Sequence, residues 1–306
     1  MNLITLQILF HLDNILGKML KTPSYIHFIK SNGYCTVQDQ GRFGFADLGV
    51  PYSGAMDQFS YTLANKLLRN TEDSAVLEIA IAGPTMVFEM ATKIVFTGAQ
   101  AEIFHNGNPI QLGQIISLNA EDEIVVGKII RGQWLYMGIE GGLETPIFMD
   151  SRSWFAGIST FSKIQKGDTI CYFSEEKLNV NTLSHPKLTN SWFENEKINV
   201  YKGPEWKALP DRLKTQILFT TFKISRNSNR MGIQLEELIP NQLDQLLTSP
   251  VYPGTVQLTP AGKLIVLMRD AQVTGGYPRI FQLSDDSINI IAQKSFGQKV
   301  KFSIIF

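Results

Sequence analysis

The amino-acid sequence predicts a mainly β protein with a few helices, of the α+β class. Short runs of β-branched and aromatic residues recur along the 306 residues, and Gly, Pro and Asn separate them. Near the C-terminus Val300, Phe302 and Ile304 alternate with polar residues, which is the period of a half-buried strand. Many short strands with this punctuation are typical of barrels or sandwiches rather than of a parallel α/β sheet.

The clearest local signal is a β-hairpin at Asn106-Gly107, between apolar runs at 101–104 and 109–112. Both central residues of a type I′ turn need positive φ, a conformation that Asn and Gly adopt readily. The sequence predicts further strands at 94–96, 123–130, 134–139, 169–173, 198–201, 217–224, 264–268 and 300–305.

Helix signals are few. Asp57 is a good N-cap, and the helix that it begins would place Phe59, Leu63 and Leu67 on one face. The sequence predicts a second helix at 205–213 and a third around 241–247.

A polar segment divides the chain. Residues 176–196 are rich in Asn and Ser and predict a linker between a first lobe at 31–175 and a second lobe at 197–306. The alternative is a long surface excursion within one domain. Residues 1–30 are expected to be an N-terminal extension. Charged residues interrupt its apolar patches and no basic region precedes them, so a secretory signal is not expected, and Met19 is an alternative start to Met1.

Composition excludes several function classes. Lys+Arg and Asp+Glu each number 28, without a basic cluster, so a nucleic-acid partner is not expected. The chain has no run of about 18 apolar residues, so no membrane-spanning helix is predicted. Cys35 and Cys171 match no metal spacing and predict two free thiols in a cytoplasmic protein rather than a disulfide. The four histidines are scattered, which predicts no metal site.

The first chemistry-bearing segment spans residues 36–57. It combines the carboxylates of Asp39 and Asp57, the guanidinium of Arg42 and the hydroxyl of Ser53 in a glycine-rich loop. Arginine suits a planar carboxylate because it donates two parallel hydrogen bonds. The structural alternative is that Asp39 pairs with Arg42 to brace the loop, while Asp57 only caps its helix.

The second segment spans residues 264–278. An apolar strand ends at Asp270, and Thr274-Gly275-Gly276-Tyr277 follow. A fold that orders Gly-Gly usually needs positive φ or close approach at that point. The segment predicts a small polar pocket or, alternatively, a tight turn in which Tyr277 packs on Pro278. Arg152 and Arg230 are further candidate anion binders, although isolated arginines more often form surface ion pairs.

Together these segments resemble one family, which includes the C subunit of 5-oxoprolinase and the second subunit of allophanate hydrolase. The family is also called KipA-like and is a biotin-dependent carboxyltransferase family. The match runs in order from about Tyr34 to Phe306. The motifs that carry it are Thr36-Val37-Gln38-Asp39, Gly41-Arg42, Gly49-Val50-Pro51, Ser53-Gly54-Ala55-Met56-Asp57, Leu77-Glu78, Gly83-Pro84, Gly141-Gly142, Ser151-Arg152-Ser153, Arg230-Met231-Gly232 and Thr274-Gly275-Gly276-Tyr277-Pro278.

The resemblance implies two cyclophilin-like β-barrel lobes in one component of a hetero-oligomer. The partners that it implies are a KipI-like chain, which is the B subunit of 5-oxoprolinase, and a LamB/YcsF-like chain, which is its A subunit. The implied activity is ATP-dependent cleavage of 5-oxoproline. One alternative is transfer of a carboxyl group from carrier-borne biotin to urea or a similar amide, and another is a non-catalytic KipI-binding regulatory role.

No covalently bound cofactor is expected, since the sequence has neither a phosphate-binding loop nor a biotin attachment motif. ATP or biotin would therefore enter through the complex.

The sequence also departs from the family. Relatives usually carry a glutamate in the segment where this chain has Ser249-Pro250. If that glutamate is catalytic in relatives, this chain has lost or changed the activity.

A mechanism follows as a hypothesis, in which Arg42 holds the carboxylate or carbonyl of a small amide. The Gly275 and Gly276 N–H groups, with Tyr277, would stabilise charge on the amide oxygen. Asp57 or Asp270 would orient or deprotonate the reacting nitrogen. The mechanism requires the segments near residues 42 and 275 to meet in one polar cleft. The candidate catalytic residues are Arg42, Asp57, Asp270 and Tyr277, and the candidate substrate-binding residues are Asp39, Ser53, Arg152, Arg230, Thr274, Gly275 and Gly276.

Overall fold

The fold is that of a computed structural model, which describes residues 22–174 and 192–305. It consists of two lobes, each built on an antiparallel-rich β-sheet that nearly closes into a barrel. The predicted mainly β fold class with a few helices is therefore confirmed. Most of the predicted extension and most of the predicted linker lie outside the described residues.

The first lobe is a ten-stranded sheet. Its strands are β1 (Thr22–Lys30), β2 (Tyr34–Gln38), β3 (Val76–Ala80), β4 (Thr85–Phe88), β5 (Thr92–His105), β6 (Asn108–Pro109), β7 (Ile115–Leu118), β8 (Glu123–Ile139), β9 (Leu143–Glu144) and β10 (Thr169–Ser174). The central path of the sheet runs β2-β3-β8-β4-β1-β10-β9, and β5 joins it through β8 while also pairing with β6 and β7.

Two features of this sheet bear on the sequence predictions. The hairpin at Asn106-Gly107 is confirmed, because both residues have positive φ, +47° and +79°, between β5 and β6. Residues 22–30, assigned to the extension, instead form β1, which pairs with β4 and β10. The first lobe therefore begins earlier than residue 31.

The second lobe is a seven-stranded sheet beside a two-stranded ribbon. Its strands are β11 (Lys197–Lys202), β12 (Phe222–Lys223), β13 (Gly232–Leu238), β14 (Ser249–Pro250), β15 (Thr255–Leu258), β16 (Lys263–Leu267), β17 (Thr274–Gly275), β18 (Arg279–Leu283) and β19 (Lys299–Ile304). The order in the sheet is β12-β19-β11-β18-β15-β16-β13, and β14 and β17 form the ribbon. Alternation in β19 places Val300 and Phe302 inside, as the sequence predicts.

The described residues contain three α-helices: α1 (Gln58–Leu68), α2 (Asp211–Phe219) and α3 (Asp285–Ala292). Short 3-10 helices form at Ala46–Leu48, Trp192–Glu194 and Pro204–Ala208. None of the helices in these ranges is long and apolar enough to cross a membrane.

Helix α1 begins as predicted, because the Asp57 side chain accepts a hydrogen bond from the Ser60 N–H. The predicted apolar face is only partly correct, however, because Leu67 packs against the buried cluster of Ala64, Leu68 and Val95 but Phe59 does not. Phe59 is 51% exposed, and the residues that the helix buries against β5 and β8 include Tyr61, Ala64 and Leu68. The small side chain of Ala64 on this buried face lets the helix approach the sheet closely.

The prediction of one helix at 205–213 is wrong, because the chain forms a 3-10 turn and then α2, which begins after Pro210. Proline disfavours the helical conformation in the residue before it, so Leu209 is extended. The strand predicted at 217–224 is also largely wrong. Its first residues end α2, Phe222–Lys223 pair with β19, and Ile224 forms an isolated bridge with Leu235.

Residues 241–247 form no helix, contrary to prediction. Their polar groups are used elsewhere: the Asn241 amide donates to the carbonyls of Ile239 and Thr259, and the Leu246 N–H donates to the Gly276 carbonyl.

Helix α3 was not predicted from the sequence. Ser284 followed by two acidic residues is nevertheless a good N-terminal signal, and the Ser284 side chain caps the helix by accepting from the Ser287 N–H.

One apolar cluster spans both lobes, beside a second cluster that belongs to the first lobe alone. Met56, Tyr61 and Trp134 of the first lobe belong to the same buried cluster as Phe281 and Ile288 of the second. The lobes therefore pack as a single body.

Both cysteines are free, as predicted. Cys35 is buried in β2, and burial raises the pKa of its thiol.

Gly98 in β5 provides a test of the packing. Its φ is +88°, and a Cβ there would lie 2.5 Å from the Trp134 carbonyl oxygen. Gly98→Ala should lower the free energy of unfolding by about 3 kcal/mol or more, since backbone strain and a backbone clash add. The measurement is the urea unfolding curve of the full chain.

The matched control is Gly107→Ala, because Gly107 has a similar φ of +79° and no atom of the described residues lies within 4 Å of the added Cβ. It should cost only about 1 kcal/mol. Equal losses for the two variants would contradict the predicted clash.

Candidate active site at the junction of the lobes

Ser53 lies where the first-lobe loop meets the second lobe. Its N–H donates to the Arg269 carbonyl across the junction at 2.8 Å. Its φ is +54°, an unusual value for a residue with a side chain, and it is only 1% exposed. Its hydroxyl is buried and finds no hydrogen-bond partner among the described residues. Strain and an unused polar group coincide here, a combination that is typical of functional sites.

Arg42 lies in the same loop and is 2% exposed. Its main-chain N–H donates to the Tyr52 carbonyl, and its guanidinium donates to the carbonyls of Phe148 and Ser153. Atom Nη1 is buried without a partner in the described part of the chain. Burial lowers the pKa of Arg42, and the nearby carboxylates of Asp39 and Asp270 offset this only in part. A buried cation with an unused donor favours an anionic ligand.

Asp39 organises the loop. Its carboxylate accepts hydrogen bonds from the N–H groups of Gly41 and Arg152 and from the hydroxyls of Ser151 and Ser153, at 2.5 to 2.8 Å. Arg42 makes no ion pair with it among the described residues, so the proposed bracing pair is not observed. Asp39 fixes the loop by accepting from neutral donors instead.

The guanidinium of Arg152 is directed away from this loop. It donates to the Thr145 carbonyl and pairs with the Glu144 carboxylate, and both side chains of the pair are largely buried. Arg152 therefore contributes to the site through its main-chain N–H, which binds Asp39.

Arg230 bridges the lobes. It pairs with Asp270 through Nε and Nη2, at 2.6 and 3.0 Å, and with Glu78 of β3 through Nη1. Its Nη2 also donates to the Gly54 carbonyl at 2.8 Å. Burial acts to lower its pKa, but the carboxylates of Asp270 and Glu78 outweigh that effect and raise it. Each guanidinium nitrogen is thus engaged by the protein.

Asp57 caps α1 and also links the lobes. Its carboxylate accepts from the Ser60 N–H and hydroxyl, and from the side-chain amide of Gln293 at 2.8 Å. Burial raises the pKa of Asp57, and the hydrogen bonds from Gln293 and Ser60 reduce that shift. The structural interpretation of Asp57 as a helix cap is observed, with the added contact to Gln293.

The second motif forms the β14–β17 ribbon and the turn after it. Thr274 and Gly275 pair with Ser249-Pro250, which places Ser249, the family departure, opposite Gly275. Neither glycine has positive φ. Both are closely approached instead, because an added Cβ would lie 2.5 Å from the Gln257 amide nitrogen at Gly275 and 3.0 Å from the Leu246 carbonyl at Gly276.

The structure joins the first motif directly to the strand end that carries Asp270, through the Ser53–Arg269 hydrogen bond. Contact with the 274–277 turn is less direct. The rings of Tyr52 and Tyr252 lie 6.3 Å apart, and Val251 next to Tyr252 donates its N–H to the Val273 carbonyl. Tyr277 is 37% exposed. The catalytic roles of Asp57, Asp270 and Tyr277 stay predictions.

Three residues of this junction are not among the candidate site residues from the sequence: Glu78, which appears there only within a family motif, Tyr136 and Gln293. Glu78 lies in the apolar strand β3 and is fully buried. A glutamate inside a buried strand almost always needs a partner, which is the signal that could have selected it. Gln293 has no such local signal, because its partners lie in the other lobe. In the described ranges no cluster of His, Cys, Asp or Glu is arranged to hold a metal ion.

Comparison with known proteins decides the family. The model of the protein family described as "Carboxyltransferase domain, subdomain A and B" matches residues 48–304 of this chain. The chain belongs to this carboxyltransferase domain family. It is 29% identical to the C subunit of 5-oxoprolinase from Escherichia coli over 283 residues, which cover 90% of each chain. The resemblance predicted from the motifs is confirmed.

Two further relatives are larger proteins. Urea amidolyase of Lachancea kluyveri is 30% identical over 70% of this chain, which spans 13% of that protein. The crystal structure of Kluyveromyces lactis urea carboxylase superposes with a TM-score of 0.83 and 24% identity, covering 93% of this chain and 28% of that one. This likeness in structure supports the fold alone.

Two buried serines test whether the Ser53 hydroxyl is unused. Ser53→Ala removes a buried hydroxyl without a partner among the described residues, so the free energy of unfolding should stay the same or rise by about 1 kcal/mol. Ser153→Ala removes a hydroxyl that donates to the Asp39 carboxylate and accepts from the Asp39 N–H, and should lower the free energy of unfolding by about 1–2 kcal/mol. Chemical denaturation of both variants measures the difference. A loss at Ser53 equal to that at Ser153 would show that the Ser53 hydroxyl has a structural partner.

Proposed function

We propose that the chain is a subunit of an ATP-dependent 5-oxoprolinase-type complex, which acts on a small cyclic amide acid together with a KipI-like subunit. The observation that carries this proposal is the match to the C subunit of 5-oxoprolinase over 90% of both chains. A LamB/YcsF-like chain would be the third component, and ATP would enter through the complex.

The geometry of the first-lobe loop supports an acidic substrate. Arg42 offers a buried guanidinium nitrogen that no described residue engages. Ser53 offers an unused hydroxyl and directly follows Tyr52, whose carbonyl accepts the Arg42 N–H. A substrate carboxylate has acceptors for both groups and supplies the missing negative charge. Arg42 would anchor the substrate, and Ser53 would orient it.

The remaining roles in the proposed mechanism are assigned to the second lobe. Main-chain N–H groups of the Gly275-Gly276 turn, with the Tyr277 hydroxyl, would stabilise charge that develops on the amide oxygen. Asp270 would orient the amide nitrogen from its position beside Arg230. Arg230 and Arg152 would act through the loop that they hold, since protein groups already engage their guanidinium nitrogens.

A second candidate function is carboxyl transfer from carrier-borne biotin to urea or a similar amide. The match to urea amidolyase and the family description favour it. The same anion-binding loop would then hold a carboxylated intermediate. The third candidate, a non-catalytic KipI-binding regulatory role, predicts co-purification with a KipI-like chain without turnover of either substrate.

The decisive assay is ATP-dependent consumption of 5-oxoproline by the chain expressed with its partner subunits. Arg42→Ala in that complex should lower kcat/KM about 30-fold, corresponding to roughly 2 kcal/mol or more of lost transition-state binding. The loss should reach both kcat and KM, because the anchored carboxylate is remote from the bond that breaks.

The matched control is Arg212→Ala, which removes an exposed arginine of α2 in the second lobe. It should leave turnover unchanged. Full activity of the Arg42→Ala complex would exclude the anchoring role. Biotin-dependent carboxylation of urea, without 5-oxoproline consumption, would favour the second candidate.

A further inference from the structure

The six consecutive residues from Ser53 to Gln58 are each held by a main-chain hydrogen bond to a group outside the segment. Three of the partners come from the first lobe and three from the second. The bonds are Ser53 N–H to the Arg269 carbonyl, Gly54 carbonyl from Arg230 Nη2, Ala55 N–H to the Asp39 carbonyl, Met56 N–H to Glu78 Oε2, Asp57 N–H to the Tyr136 hydroxyl, and Gln58 N–H to Asn289 Oδ1.

This anchoring coincides with backbone strain. Ser53 and Gly54 both have positive φ, +54° and +84°. A strained non-glycine residue persists only where its surroundings over-determine the conformation. Here the surroundings come from two lobes, so the conformation of the turn depends on their docking.

Glu78 and Arg230 are central to this arrangement. Glu78 binds Arg230 through Oε1, and through Oε2 it accepts from the Met56 N–H at 2.7 Å and from the Tyr136 hydroxyl at 2.9 Å. The same hydroxyl accepts from the Asp57 N–H, and Arg230 donates to the Gly54 carbonyl. The pair thus reaches three of the six anchored residues, directly or through one hydroxyl.

We propose that Glu78 and Arg230 are positioning residues, which hold the strained Ser53-Gly54 turn so that the Ser53 hydroxyl and the Arg42 guanidinium face the substrate. Neither residue touches substrate in this arrangement. That these two residues hold the turn follows from the hydrogen bonds alone. That holding the turn supports turnover rests on the proposed function.

Amide hydrogen exchange of the full chain tests whether these residues hold the turn. Glu78→Gln keeps the side-chain shape and removes one acceptor and the charge. The amides of residues 53–57 should then exchange at least tenfold faster, while those of β5 and β7 stay unchanged. Tyr136→Phe is the second variant, because it removes only the bridging hydroxyl and keeps every charged group; it should accelerate exchange at Asp57 and Met56.

The matched control is Glu140→Gln. Glu140 is a carboxylate of the first lobe that pairs with Lys93 at 2.9 Å, away from the 53–58 segment. In the Glu140→Gln variant, the amides of residues 53–57 should exchange at the same rates as in the wild-type chain. Wild-type exchange at these residues in Glu78→Gln or Tyr136→Phe would overturn the proposal.

A double-mutant cycle separates positioning from general destabilisation. In the active complex Glu78→Gln should lower kcat/KM at least tenfold. In a Ser53→Ala background, where the hydroxyl that the turn positions is already absent, Glu78→Gln should lower kcat/KM by a smaller factor than in the wild-type background. Additive effects, or an unchanged kcat/KM with accelerated exchange, would overturn the positioning role. A wild-type complex without 5-oxoproline turnover would contradict the proposed function, while the exchange measurements would still decide the geometry.

Discussion

The structure depends on a buried charge bridge between the lobes. Arg230 of the second lobe is held by Asp270 on its own side and by Glu78 on the other, and all three are largely removed from solvent. Such a bridge contributes little net stability, because desolvation offsets most of the attraction. Its value lies in specificity: another docking of the lobes that still buried Glu78 would leave its carboxylate without the Arg230 guanidinium.

Around that bridge, the polar groups fall into two kinds. Those of Asp39, Asp57, Glu78 and Arg230 are engaged by protein donors and acceptors, whereas Arg42 Nη1 and the Ser53 hydroxyl are not engaged by any described residue. The first kind makes the loop rigid, and the second leaves unused binding capacity inside it. A site of this type is preorganised, since little rearrangement is needed to receive an anion.

The sequence predicted the β-rich class, the hairpin at Asn106-Gly107 and the start of α1, because each depends on residues close together in the chain. It failed at 241–247, where the main chain bonds to Gly276 instead of to itself, and at 205–213, where Pro210 divides the helix. The motif residues of the site were found, but not their assignment to binding or support. That assignment depends on partners in the other lobe, as for Arg230 and Gln293, and these have no local signature.

Gln293 illustrates a consequence for how such proteins diverge. Its side-chain oxygen accepts the N–H groups of Gln133 and Trp134, and its nitrogen donates to Asp57 and to the Trp134 carbonyl. One amide from the C-terminal half thus completes the backbone pairing of a strand in the N-terminal half. Recombination that joined this N-terminal half to a C-terminal half without such an amide would leave these groups without their partner, so the two halves are constrained to be inherited together.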